Sequence, residues 1–441
     1  MRSKTIPWIV GVFCLAMLLF VEVWAEDSSN RGHWVSVWST AVHAPLQFPG
    51  LPPSPVFENQ TIRMIVRPTM GGERLRVRFS NAFGTTSLRI GSAHVALSSK
   101  ASAIVPESDH ALTFSGKASV TVPPGAPILS DLIELKVLPL SELAVSVYLP
   151  EKTTSSSVHF WAQHDTYISE PGDFTARQDI PKPTIKSSWY WLADLEVWAP
   201  NQTSATVTFG DSITDGVGAK QGEYSDWPDL LANRLAAGQN SATLAVVNEG
   251  IGGNRILHDG AGVSALTRLD RDVLAQPGVS TLIVLEGIND IGWPHMKPRL
   301  PNGTIVKETP FTHEVVSAED LIAGLQQIIE RAHQHGIKVF GATLTPFEGA
   351  DYYSEDGEAM RLVVNQWIRT GGAFDGVFDF DAAVRNPSRP SQFREDYHSG
   401  DHLHPSAAGY KAMADVIDLT MLRGTLSSSI KRWAIGGACV A

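Results

Sequence analysis

Ala205-Thr206-Val207-Thr208-Phe209-Gly210-Asp211-Ser212-Ile213-Thr214-Asp215-Gly216 is an apolar run that stops at a glycine and delivers a serine. In an open α/β sheet, reactive groups collect beyond the carboxyl ends of strands, where loops hold them beside a helix N-terminus. Ser212 is therefore a candidate nucleophile. Gly, Asp, Ser and Thr also make a serviceable turn and helix cap, so the tripeptide decides nothing alone. The chain downstream of Pro200 does.

That half of the chain alternates apolar strands with helix-length segments. The strands are Ala205 to Phe209, Leu244 to Val247, Thr281 to Leu285, Val339 to Leu344 and Val377 to Phe380; the helical candidates are Trp227 to Ala237, Val263 to Leu274, Ala318 to His335, Glu358 to Ile368 and Pro405 to Leu422. Alternation of this kind reads as an α/β domain. Near-continuous apolar strands imply burial on both faces, as in a three-layer α/β/α domain with a parallel sheet. Trp293 to Thr312 shows no periodicity and reads as a loop shaping a pocket.

Upstream, from about Trp34 to Trp198, short alternating runs are broken by Gly and Pro. Leu75-Arg76-Val77-Arg78-Phe79 shows the pattern best, with apolar and basic residues at the period of a half-buried strand. The expectation is a β-sandwich-like domain of antiparallel sheets with one wet face. The predicted organisation is a signal peptide over 1–25, a β-rich domain over 26–199, a catalytic domain over 200–423 and a C-terminal tail over 424–441.

The first 25 residues carry Arg2 and Lys4, an apolar stretch from Ile9 to Val23, and Val23-Trp24-Ala25. This is the form of a secretory signal peptide, too short for a membrane anchor. Secretion is thus expected. Removing Arg2, Lys4 and Glu22, a net charge of +1, would take the formal charge from −11 to −12. An acidic chain without basic runs excludes nucleic acid as the expected partner. Of the two cysteines, Cys14 lies in the signal and Cys439 near the end, which leaves the mature chain no internal disulfide. Asn59, Asn201 and Asn302 open glycosylation sequons, as in a secreted glycoprotein.

Four clusters carry candidate chemistry. The first holds Ser212. Asn248-Glu249-Gly250-Ile251-Gly252-Gly253-Asn254 follows the next strand, and its glycines let backbone amides approach a ligand. Glu286-Gly287-Ile288-Asn289-Asp290 places an amide side chain at a third strand end. Asp401-His402-Leu403-His404-Pro405-Ser406 precedes the last helix, which Pro405 is expected to start. Ester hydrolysis needs a nucleophile, a base, a carboxylate that orients the base, and donors for the oxyanion. Asp401 and His404 form a candidate pair facing Ser212, with His402 and the pair Asp396 and His398 as competitors. No His-Glu-x-x-His or spaced Cys/His set occurs, so no metal site is expected. His333 and His335 are expected at the polar end of their helix.

The order and content of these blocks resemble the GDSL or SGNH hydrolases. Gly210-Asp211-Ser212 is similar to their first block, Gly253 in its glycine-rich run to the second, Asn289 to the third and Asp401-His-Leu-His404 to the last. The resemblance covers Ala205 to Leu422. It implies a flavodoxin-like domain, a nucleophile at Ser212, a general base at His404 oriented by Asp401, and no cofactor. It also implies an oxyanion hole of the Ser212 and Gly253 amides with the Asn289 side chain. Asp211 and Asp215 are expected to brace the loop.

The β-rich domain ahead of the hydrolase blocks looks like a secreted branch with xylan-esterase-like members, so a short-chain, chiefly acetyl, ester on plant polysaccharide is the expected substrate. Trp227, Trp293 and His295 flank the blocks and are candidate sugar contacts. Competing readings are a carbohydrate-binding or adhesion protein on a hydrolase scaffold, a short-chain lipase, and an acyltransferase.

Overall fold

The computed structural model describes residues 32–46, 53–238, 243–297, 305–306 and 308–422. The expected signal peptide, the expected C-terminal tail and Asn302 lie outside them.

The longer strands of the first half are β1 (Gly32–Ser39), β2 (Gln60–Val66), β3 (Leu75–Ser80), β4 (Ser92–Lys100), β5 (Leu143–Leu149), β6 (Thr166–Pro171) and β7 (Leu192–Pro200). They form two antiparallel sheets. One runs β1-β7-β3 and ends on Pro127–Leu129; the other has β6, β2, β5 and β4 as successive neighbours. Alternate residues of both sheets meet in one core, including Val35, Val77 and Val197 from the first and Ile62, Val95 and Val145 from the second. Such interdigitation of two inner faces is how a sandwich buries its apolar half.

Leu75, Val77 and Phe79 face that core as their alternation predicts. The opposite face is not the wet one expected. Arg76 pairs with Glu196, and Arg78 lies 2.5 Å from Glu196 and 3.5 Å from Asp194, both acids being fully buried. Arg78 also borders a cavity shared with Arg271, Asp272, Ala275 and Gln276 of the second half. The polar stripe marks a face docked against the rest of the chain, where burial requires each charge to be paired.

The second half is built on β8 (Ser204–Gly210), β9 (Leu244–Gly250), β10 (Val279–Leu285), β11 (Lys338–Ala342) and β12 (Gly376–Phe378). These form a parallel sheet in the order β9-β8-β10-β11-β12. Val207, Phe209, Leu282, Ile283 and Val339 are fully buried in its core. The helices are α1 (Ser212–Asp215), α2 (Trp227–Ala237), α3 (Ala265–Leu269), α4 (Ile288–Gly292), α5 (Ala318–Gln334), α6 (Glu355–Thr370), α7 (Phe380–Val384), α8 (Ala407–Asp415) and α9 (Leu419–Leu422). They contact one another in two groups: α8 touches α2 and α7, whereas α5 and α6 touch each other, α3 touches α5 and α4 touches α6.

Local signals fix several boundaries. A capping box of Ser317 and Asp320 starts α5, which buries Leu321, Leu325, Ile328 and Ala332. The helix expected over Pro405 to Leu422 begins at Ala407, because the Ser406 hydroxyl accepts from the Gly409 amide and sets the cap, and it ends at Asp415, with a separate turn of helix over Leu419–Leu422. The helix expected over Val263 to Leu274 is α only to Leu269 and continues as a π-helical turn over Asp270–Leu274. No helix among the described residues is long and apolar enough to cross a membrane.

The two halves meet along β1 and β9. Ser36 donates its amide to Pro277 at 2.9 Å, and the Thr69 hydroxyl exchanges hydrogen bonds with Val246 at 2.8 and 3.0 Å. Ala205 and Ala245 belong to the same apolar cluster as the β-rich core.

Candidate active site

Gly210 of β8 is in register with Gly250 of β9 and Leu285 of β10, so three strands end at one level and their loops open on one edge. The chain leaves β8 for β9 on one side and then crosses to β10 on the other. A crevice at such a reversal is where parallel α/β sheets collect ligands. The loops after β8, β9 and β10 bear Ser212, Gly253 and Asn289.

Ser212 opens α1, whose N-cap is Asp211; its carboxylate accepts the Ile213 amide at 2.9 Å. Close packing aims this turn. A Cβ on Gly250 would lie 2.3 Å from the Asp215 nitrogen, so only glycine lets the end of β9 lie against α1. Ser212 Oγ is 2.8 Å from His404 Nε2, and His404 Nδ1 is 2.5 Å from Asp401 Oδ2. Asp401 Oδ1 accepts the amides of Leu403 and His404 at 3.0 and 2.9 Å. Burial alone would raise the Asp401 carboxyl, but the hydrogen bond and charge of His404, with those two amides, hold it well below the usual carboxylate range. The carboxylate thus fixes the proton of His404 on Nδ1 and leaves Nε2 to accept from Ser212.

His402 packs at a tilt on His398, with ring centroids 4.2 Å apart, and His398 Nδ1 accepts the Gly400 amide at 3.1 Å. Asp396 lies 3.8 Å from Arg394. None of the three is bonded to Ser212. His333 pairs with Asp375 at 2.9 Å, away from the site.

Gly253 takes a left-handed φ of 81°. Asn289 is 3 % exposed and held at both ends of its amide: Nδ2 donates to Asn254 O at 2.9 Å, and Oδ1 accepts from the Tyr352 hydroxyl at 3.2 Å. This pattern fixes which end of the amide is nitrogen and leaves its second N–H free to donate. Asp290 accepts the Ile256 and Leu257 amides at 2.7 and 3.0 Å, although burial pushes its carboxyl up to about 6.

Arg268, fully buried, joins the loops from beneath. It donates to Gly210 O at 2.9 Å, Glu249 O at 2.7 Å and Asn254 Oδ1 at 2.8 Å. Neither Tyr352 nor Arg268 carried a sequence signal, since each acts through distant partners.

The aromatic candidates separate. Trp227 is fully buried against Phe380, their ring centroids 5.3 Å apart, and offers no surface to a sugar; its position reflects packing of α2 rather than recognition. Trp293 is 6 % exposed and packs on Gly253, Gly260 and Phe311. His295 is half-buried two residues on. The β-rich half supplies a residue the sequence did not reveal: Trp161, 39 % exposed, with its ring against Gly252. Asn59 and Asn201 are exposed, and Asn59 Oδ1 accepts from the Tyr148 hydroxyl at 2.7 Å. Among the described residues no group of three or more His, Cys, Asp or Glu side chains could hold a metal.

Comparison with known proteins meets this geometry at its centre. Residues 208–412 match the GDSL-like Lipase/Acylhydrolase family. Residues 208–412 carry a GDSL-like lipase/acylhydrolase domain. Solved structures similar to it include Axe2, an acetylxylan esterase from Geobacillus stearothermophilus, at 22% identity over 51% of this chain and 96% of that one, with a TM-score of 0.36. LAE5, an alpha/beta hydrolase enzyme from the metagenome of Lake Arreo, Spain, is similar at 19% identity over 50% of this chain and 95% of its own, with a TM-score of 0.37. Among curated proteins none matches the chain. The match supports a hydrolase of the esterase and acylhydrolase kind for residues 208–412.

Proposed function

We propose that the protein is a secreted serine esterase that hydrolyses short-chain, chiefly acetyl, esters carried on a carbohydrate such as acetylated xylan. The observation that carries the reading is the unbroken chain of hydrogen bonds from Asp401 through His404 to Ser212 at the strand edge. In this reading the two helix groups are the outer layers of a flavodoxin-like α/β/α domain, and residues 26–199 form a separate β-rich domain ahead of it.

Ser212 Oγ attacks the ester carbonyl while His404 Nε2 takes its proton. The resulting imidazolium is stabilised by Asp401, whose depressed affinity for protons keeps it ionised. The amides of Ser212 and Gly253 and the second N–H of Asn289 receive the oxyanion. Collapse expels the alcohol, protonated by His404, and leaves an acyl group on Ser212. Water, deprotonated by His404, then releases the acid and restores the serine. The fixed amide of Asn289 supports this role, because a donor held before reaction costs no reorganisation during it.

An acidic chain without basic runs suits a neutral polymer. The test is hydrolysis of p-nitrophenyl acetate and release of acetate from acetylated xylan by the mature protein. Ser212→Ala is expected to abolish both. Equal rates for the two proteins would overturn the esterase reading, and a preference for long acyl chains would overturn the substrate.

A further inference from the structure

The β-rich half sends one segment into the hydrolase loops. Val158–His159 is a short strand paired with Trp189–Tyr190, and His159 emerges from it 3 % exposed. Its Nε2 lies 2.8 Å from Asp215 Oδ1 and its Nδ1 3.1 Å from Ala41 O. A carbonyl and a carboxylate both accept, so protons on both ring nitrogens satisfy both contacts and make the pair ionic. Burial disfavours the charged ring, but the charge and hydrogen bond of Asp215 outweigh it and raise the affinity of His159 for its proton.

Asp215 is the last residue of α1, the helix that Ser212 begins. Its other oxygen, Oδ2, accepts the amide of Gly252 at 2.8 Å. The next amide along is that of Gly253. Two residues after His159, Trp161 packs on the same glycine: a Cβ on Gly252 would lie 2.3 Å from Trp161 Cε3. The β-segment therefore meets the glycine loop twice, through His159 on the carboxylate that accepts the Gly252 N–H and through the Trp161 ring packed on Gly252 itself.

We propose that His159 is a positioning residue for ester hydrolysis: through Asp215 it locks the Gly252–Gly253 turn to the helix that begins at Ser212, so that the β-rich half completes the oxyanion site of the other. The inference rests on the esterase reading. It assigns the β-rich half a part in catalysis beyond any binding of polymer, and it gives a role to Asp215, which is 7 % exposed and bonded on both oxygens.

The experiment compares the mature protein with His159→Ala, His159→Gln, Asp215→Asn and the double variant His159→Ala/Asp215→Asn. Each is assayed for kcat and KM on p-nitrophenyl acetate and for cooperative thermal unfolding. A turn displaced by an ångström costs about 10²-fold in turnover. His159→Ala is accordingly expected to lower kcat by about 10²-fold with KM little changed. His159→Gln, which keeps a donor for Asp215, recovers part of that loss. The double variant is no slower than the slower single, since both break one linkage. Should His159→Ala fail to fold, His159→Gln and Asp215→Asn carry the test. Wild-type kcat in folded His159→Gln and Asp215→Asn, losses that multiply in the double variant, or a loss confined to KM would each overturn the relay while leaving the esterase reading intact. An inactive wild-type protein would overturn both.

Discussion

Removing the hydroxyl of Tyr352 tests whether the Asn289 amide is held ready for an oxyanion. Tyr352 is 6 % exposed, and its hydroxyl donates to Asn289 Oδ1 at 3.2 Å. Tyr352→Phe keeps the ring, its packing against Phe347 and the shape of the site. It leaves a buried carbonyl oxygen without its donor, a cost of about 1–3 kcal/mol that is expected in stability. Turnover should suffer less, because Nδ2 remains tethered to Asn254 O at 2.9 Å. One tether of two is lost, so the bias on the amide falls by the net worth of one hydrogen bond, about 0.5–1.5 kcal/mol, or about 2- to 10-fold in kcat. Asn289→Ala deletes the donor itself and should cost about 10²- to 10³-fold. Steady-state kinetics on p-nitrophenyl acetate, with KM followed separately, reads both. Tyr352→Phe as slow as Asn289→Ala, or as fast as wild type, would refute the reasoning: the first would make the phenol itself a donor to the reaction, the second would show the amide is held by other means.

Replacing Arg268 by Met should destabilise the protein by about 3–5 kcal/mol, measured by denaturant unfolding. Asp272 and Glu286, 3.2 and 3.8 Å from the guanidinium, would then sit buried without that cation, and the Gly210 and Glu249 carbonyls would lose their donor; a loss below about 1 kcal/mol would contradict the hub. Stability should also rise as the pH is lowered from about 8.5 to about 6.5. Burial pushes Asp194 and Asp211 up to about 7, and Glu249, Glu286 and Asp226 well above their usual range, so in this window the folded protein binds more protons than the unfolded chain. The raised affinity of His159 acts in the same sense, and its contribution is lost as pH rises through its folded value. Below about 6.5 the sign is opposed by His43, which burial holds down to about 3 and which the unfolded chain protonates first. A melting temperature that falls between about 8.5 and about 6.5 would contradict the assignment.

Much of this was legible because the signals were local. The apolar strands after Pro200, the serine at a strand end and the Asp401 to His404 spacing are each written within a few consecutive residues, and strand-end logic alone brings Ser212, Gly253 and Asn289 to one edge. What stayed hidden depends on pairs far apart in sequence. Arg76 and Arg78 looked solvated because nothing near them announces Glu196 and Asp194. Trp227 looked like a sugar contact because it adjoins the site in sequence, whereas the turn of α2 points it at Phe380. Tyr352, Arg268, His159 and Trp161 hold the site through contacts that span 14 to 118 residues of sequence, with no periodicity to betray them.

The central claim is that Ser212 is acylated in the course of ester cleavage. Its most direct measurement is mass spectrometry of the protein quenched during turnover of p-nitrophenyl acetate, with the modified peptide sequenced. An acetyl group on Ser212, absent in Ser212→Ala, is the predicted result. Undiminished hydrolysis by Ser212→Ala, or an acetyl group that maps only elsewhere, would contradict it.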